Sequence, residues 1–264
     1  MKSKAHTFLL MELEKNFSIY LVEFIFLLMV YVVASSTLNF HLSYSITSSM
    51  HLPYEEAIKG FSLFLAYYLS RNAISAFEFN VLIIVVVVSL SFADEISRGY
   101  MRVLLSYPLS RKTIFCVKTF LIIIVPYLVY LTSATLLPLV YTSLSWNLFF
   151  AETIAKLSLI FLFEIFFVSS ITILLALLTR STSFTVLFSL VILFTLRYSG
   201  YIIGSEYVNY LPPFCFNILA DYLIGIKFLQ VNVYKVTAIY SILSAFPAIL
   251  SYLYFTRRFD ACRR

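Results

Sequence analysis

Apolar stretches of about twenty residues recur six times along the chain, parted by shorter segments where charge, proline and glycine collect. That length matches the roughly 20 residues a helix needs to cross a hydrocarbon core of about 30 Å. The pattern predicts spans over 17–38, 74–93, 118–140, 153–178, 184–203 and 236–256. The second includes Val81 to Val88, an unbroken aliphatic run that would pass for a buried strand in a soluble protein. An open sheet edge has no place in lipid, so helix is the expectation here. Pro126 and Pro138 predict a kink near the middle of the third span. The expected architecture is a single all-α transmembrane domain over 1–264, with six spanning helices.

The connections carry their own expectations. Residues 1–16 read as an N-terminal interfacial helix and 94–117 as a cytoplasmic segment with a short helix. On the outer side, 39–73 holds an apolar stretch from Phe61 to Leu69 too short to span. After Pro212 and Pro213, the apolar run broken by Asp221 and Gly225 makes 204–235 a re-entrant outer segment. Tyr198, Tyr201, Tyr207 and Tyr210 crowd the outer end of the fifth span, as an aromatic belt at the headgroups does.

Composition excludes a water-soluble fold. Hydrophobic residues make up 61% and charged residues 12% of the chain, and the mean hydropathy is +0.94; soluble domains have roughly 45–50% and about 25%. Six spans put both termini on one side. That side holds thirteen of the nineteen Lys and Arg residues against five acids, so the positive-inside rule places both termini in the cytoplasm. The formal net charge of +6 is then a topology signal, and no nucleic-acid partner is expected. The first apolar run begins near Phe17 with no small-residue cleavage site after it, so no cleavable signal peptide is expected. Cys116, Cys215 and Cys262 are scattered and odd in number, which argues against a disulfide framework or a zinc site.

Catalytic chemistry is sparse. The sequence has no GxxxxGK[ST] phosphate loop, no HExxH pair and no GxSxG elbow. His6, His41 and His51 all fall outside the spans. No metal, no catalytic residue and no cofactor bound by this chain are expected. Two acids lie within spans, Glu23 and Glu164, and a carboxylate at membrane depth marks a functional candidate by default. Glu23 sits within two turns of the cytoplasmic end, where reaching the interface is the simpler account. Glu164 is nearer mid-span.

Residues 94–118 read DEISRGYMRVLLSYPLSRKTIFCVK. Ile96, Tyr100, Val103, Leu104 and Tyr107 follow the spacing of one helix face. Asp94, Arg98 and Arg102, four apart, suit i,i+4 pairing. Gly99 marks a break after the second span, Pro108 stops the short helix, and Ser110 caps the third span. Such a helix serves either as an interfacial anchor or as a surface that docks into a groove on a soluble partner.

This segment resembles the signature of the ABC-2 type permeases, the membrane subunits of one class of ATP-binding-cassette transporters. Glu95, Gly99, Leu104-Leu105, Pro108, Leu109, Ser110-Arg111 and Lys118 match its positions in order. Ser97 stands where a second acid is common, Tyr100 replaces the usual Thr, and Val117 replaces the usual Gly. The resemblance implies a coupling helix that docks on a separate ATPase subunit through Glu95, Arg98, Gly99, Arg102, Leu104, Leu105, Pro108, Ser110, Arg111 and Lys118. It also implies a second cytoplasmic contact at Arg180, and Phe8, Leu9 and Leu13 as the apolar side of the N-terminal helix. ATP and Mg would sit on two copies of the partner ATPase, and a second permease copy or a homologous permease would complete the transporter in the plasma membrane. The implied task is export of a hydrophobic or amphipathic substrate such as a drug, lipid or peptide. The alternatives are a self-contained proton-coupled secondary transporter using Glu164 and Glu23, and a non-transporting membrane scaffold.

Overall fold

The apolar runs within the described residues form helices. The computed structural model describes residues 2–16, 23, 26–27, 30, 77–142, 148–199, 210–211, 214–224 and 233–259. Among them no strand occurs, and the valine run takes the helical alternative. Helix α1 is Lys2–Asn16 and α2 is Phe77–Val88, which continues through a π-helical turn, Ser89–Asp94, into Glu95–Ser97. The short α3, Tyr100–Ser106, leads to two long helices, α4 (Arg111–Thr142) and α5 (Leu148–Thr179). Then follow α6 (Thr182–Ser199), α7 (Phe214–Ile224) and α8 (Val233–Leu253), the last ending in a second π-helical turn, Tyr254–Arg258.

Five of these helices are long and apolar enough to cross a membrane: Asn80–Ser97, Arg111–Thr132, Ser158–Thr179, Thr182–Ser199 and Tyr234–Arg257. They correspond in order to the second to sixth expected spans, and they make the chain a multi-pass membrane protein. The expected first span, 17–38, lies outside the described residues apart from four positions, as do 39–73 and most of 204–235. Within 204–235, α7 is helical, and Cys215, Phe216 and Ile218 are buried. Helix α4 runs through both Pro126 and Pro138 without interruption.

Helix α5 is the axis of the bundle, packed by α2, α4, α6, α7 and α8. A helix apolar on every side belongs in a core, and Phe161, Ile165, Val168, Ile173 and Leu177 are all buried. Two of its buried hydroxyls turn back onto the helix: Ser170 donates to the Phe167 carbonyl and Thr172 to that of Val168, each at 2.8 Å. These two need no water to be satisfied. Helices α6 and α8 stand at the periphery with outward Phe184, Leu187, Val191, Ile242, Phe246 and Ile249. Such a surface suits hydrocarbon and would be a liability in water.

Candidate functional site

The segment after α2 is built by its backbone. Gly99 adopts φ +79°, in the left-handed region open to glycine. This turn separates α2 from α3, so residues on its two sides do not share one helical register. Within α3 itself the expected face also divides. Met101 and Leu104 point into the core, whereas Tyr100, Val103 and Tyr107 are about half exposed. Asp94 and Arg98 pair at 2.9 Å as their spacing predicts, and Arg102 lies exposed beyond the break. Tyr107 is extended ahead of Pro108, which ends α3. The Ser110 hydroxyl accepts the Thr113 backbone N–H at 3.1 Å, the N-cap expected for α4.

Not all of the expected docking residues face outward. Arg98, Arg102, Pro108, Ser110 and Arg111 are exposed, Gly99 and Leu105 are half-buried, and Glu95, Leu104 and Lys118 are buried. Glu95 and Lys118 meet each other inside: the Lys118 ammonium lies 2.7 Å from Glu95 and 2.5 Å from Glu12 of α1. It also donates to the Ser91 carbonyl at 3.4 Å, within the π-helical turn, and sits 5.9 Å from the centre of the Phe92 ring. A π-helical turn displaces backbone carbonyls from the regular ladder, so one is positioned to receive the ammonium. Glu12 was not among the residues singled out from sequence. Its signal is its place four residues after Phe8, which is buried on the same side of α1. Of the three apolar residues expected to line α1, Phe8 is buried, Leu9 half-buried and Leu13 exposed.

The same end of the bundle holds Arg180. It occupies the bend between α5 and α6 with φ +56°, a conformation uncommon outside glycine. Its guanidinium lies 5.3 Å from the ring centre of Phe259, and Arg111 donates to the Phe259 carbonyl at 3.0 Å. Phe259 stacks on Phe255, which packs on Phe115 of α4. The N-terminal helix, the 94–118 segment, the α5–α6 link and the end of α8 are thus held together.

Glu164 lies 15 residues before Thr179, about 22 Å along the helix from that end. It is buried and accepts a hydrogen bond from Asn80 at 3.2 Å. Tyr130, Cys215 and Tyr240 lie within its electrostatic reach, so α2, α4, α5, α7 and α8 all contribute to this polar nest. Tyr240 is enclosed by Phe167 and Phe216, with ring centres at 5.1 and 4.7 Å. Burial pushes the Cys215 thiol well above its usual range. Glu23 is exposed. Among the described residues, no group of three or more His, Cys, Asp or Glu side chains comes together to hold a metal.

No protein-family model, no curated protein and no solved structure matches the chain.

Proposed function

We propose that the chain is the permease subunit of an ATP-binding-cassette exporter of the ABC-2 type, driven by a separate ATPase. The observation that carries this reading is the outward face of α3. Tyr100, Val103 and Tyr107 leave a helix within the signature-like segment half exposed, flanked by Arg98 and Arg102. Apolar side chains at i, i+3 and i+7 with a basic margin are what a groove on a soluble partner binds. The buried Lys118 cluster supports the same reading, since it ties the segment to α1 and α4 and leaves it little freedom to move alone.

In this reading both termini and α3 face the cytoplasm at the plasma membrane, 17–38 supplies a sixth span, and 204–235 returns into the outer interface. The ATPase subunits, two per transporter, hold ATP and Mg and close together on binding them. Their movement reaches a permease pair through α3 and α1, and the cargo is hydrophobic or amphipathic. The test is purification of the tagged chain from its native host. A stoichiometric partner carrying a phosphate loop is the expected result; recovery of the chain alone, with no ATP-dependent transport in vesicles, overturns the reading.

A second reading has its own observation. Glu164, buried with Asn80 at the core of the bundle, suits a proton-coupled carrier. That reading expects flux driven by a proton gradient without ATP, and loss of the flux in Glu164→Gln.

A further inference from the structure

Helices α4, α5 and α8 do not close completely where they meet. Between them lies a cavity of about 30 Å³, made by small side chains: Ser169 and Ser170 of α5, and Ala248 and Ser251 of α8. Phe115 and Ile123 of α4 are among its walls. All three helices are candidate spans. Thr119, also on the cavity, lies eight residues after Arg111, and Ser169 lies ten before Thr179. Those separations are about 12–15 Å along a helix, which puts the cavity at membrane depth.

Four residues on the cavity carry hydroxyls, Thr119, Ser169, Ser170 and Ser251. Ser170 and Ser251 donate to carbonyls of their own helices, those of Phe167 at 2.8 Å and Pro247 at 2.7 Å. The hydroxyl oxygens of Thr119 and Ser169 are shielded and have no hydrogen-bond partner. Ser169 as a whole is buried. A hydroxyl left unpaired in apolar surroundings costs stability. Two of them on one cavity point to a ligand that pairs with both. No Asp, Glu, Lys, Arg or His lines the space, so nothing there holds an ion.

We propose that this cavity binds water, which bridges α4 to α5 and α8. The volume suffices, since roughly 10–15 Å³ of such space holds one molecule. The hydrogen-bonding capacities also match. Thr119 and Ser169 each have a proton to donate to the water oxygen. Ser170 and Ser251, whose own protons are spent, keep lone pairs for the water's two protons. The site goes beyond both readings proposed above and asks nothing of an ATPase or of Glu164.

The test uses the full chain in detergent. In a dry cavity, Thr119→Val and Ser169→Ala would each remove an unpaired hydroxyl and raise the thermal midpoint. With water bound, each removes a hydrogen bond, and the expected shift is downward by roughly 2–4 °C. Radiolytic hydroxyl labelling reads the water directly, because radicals form from it in place. Phe115, on the cavity, is expected to take up more label than Phe161, a comparably buried ring that does not line it. Combining Thr119→Val with Ser169→Ala should lower the label on Phe115 towards that on Phe161. Midpoints at or above wild type in both single variants, equal labelling of the two rings in wild type, or undiminished label in the pair overturns the proposal. Should the pair fail to fold, labelling of Thr119→Val alone, which keeps nearly the same shape, decides by the same comparison.

Discussion

Lys118 and Glu12 are separated by 106 positions in sequence and meet at 2.5 Å inside the protein, with Glu95 2.7 Å away from the same ammonium. All three side chains are shielded from solvent. One amine facing two carboxylates joins α1, the end of α2 and α4 at a single point. Taking ions out of water costs several kcal/mol each, and only the presence of the partners offsets it. The cluster therefore fixes register: α1 cannot slide along α4 without leaving a charge stranded.

Replacing Lys118 by methionine fills the same volume but strands two carboxylates. The expected loss is about 3–5 kcal/mol of stability, read as a lower thermal midpoint of the purified protein in detergent. Adding Glu12→Gln and Glu95→Gln to that variant should restore most of the loss, because no charge is then left without its partner. A single Lys118→Met protein as stable as wild type would show that the cluster does not hold the helices.

The exposed and buried sides of α3 should separate association from folding. Tyr100→Asp and Val103→Asp are expected to reduce co-purification of a partner ATPase while leaving the thermal midpoint near wild type, since both side chains are already half in solvent. Met101→Asp and Leu104→Asp place a charge in the core and should lower the folded yield itself. Unchanged partner recovery in the Tyr100 and Val103 variants would count against docking on this face.

Gly99 tests the break between α2 and α3. A Cβ built there meets nothing within 4 Å, so any cost of Gly99→Ala comes from the left-handed backbone alone. That cost is about 1–2 kcal/mol, and Gly99→Asn, whose side chain tolerates this region better, should lose less. The measurement is again the thermal midpoint. An alanine variant equal to wild type would mean that the turn relaxes to an ordinary helical geometry.

Much of this local structure is legible in sequence because its causes are local. The turn at Gly99, the stop at Pro108, the cap at Ser110 and the Asp94–Arg98 pair all follow from residues within four positions of one another. The face of α3 is not legible in the same way. Counting i, i+4, i+7 through Gly99 assumes one continuous helix, and the positive φ there resets the rotation. Within α3, Leu104 lies three residues after Met101 and shares its buried side, while Tyr100, Val103 and Tyr107 share the outer one. The burial of Lys118 has a readable sign: Ile114, Phe115, Leu121 and Ile122 sit at i−4, i−3, i+3 and i+4 around it, and all are buried. Its partner Glu12 is set by tertiary packing across more than a hundred residues, and no spacing rule reaches that far.

Cys215 reports on α7. The thiol is buried, and burial also raises its proton affinity, so both access and thiolate fraction are low at neutral pH. With Cys116 and Cys262 replaced by alanine, the remaining thiol is expected to resist a maleimide in detergent at pH 7 and to react once the protein is denatured. Rapid labelling of the folded protein would show that α7 is not packed in the bundle.

Asn80 and Glu164 separate a packing role from a transport role. Asn80→Ala removes the amide that donates to the buried carboxylate, at a cost of about 1–3 kcal/mol, and should lower the thermal midpoint accordingly. Glu164→Gln keeps the acceptor oxygen and nearly the same shape, so the protein should stay folded with its midpoint close to wild type. Transport then becomes informative. If Glu164 serves packing alone, the glutamine variant carries substrate as well as wild type does and keeps any partner ATPase. If transport is lost while folding and partner recovery are retained, the carboxylate belongs to the path of the cargo or of a coupling ion. Repeating the assay with the proton gradient collapsed separates those two cases, because only the coupled carrier depends on the gradient.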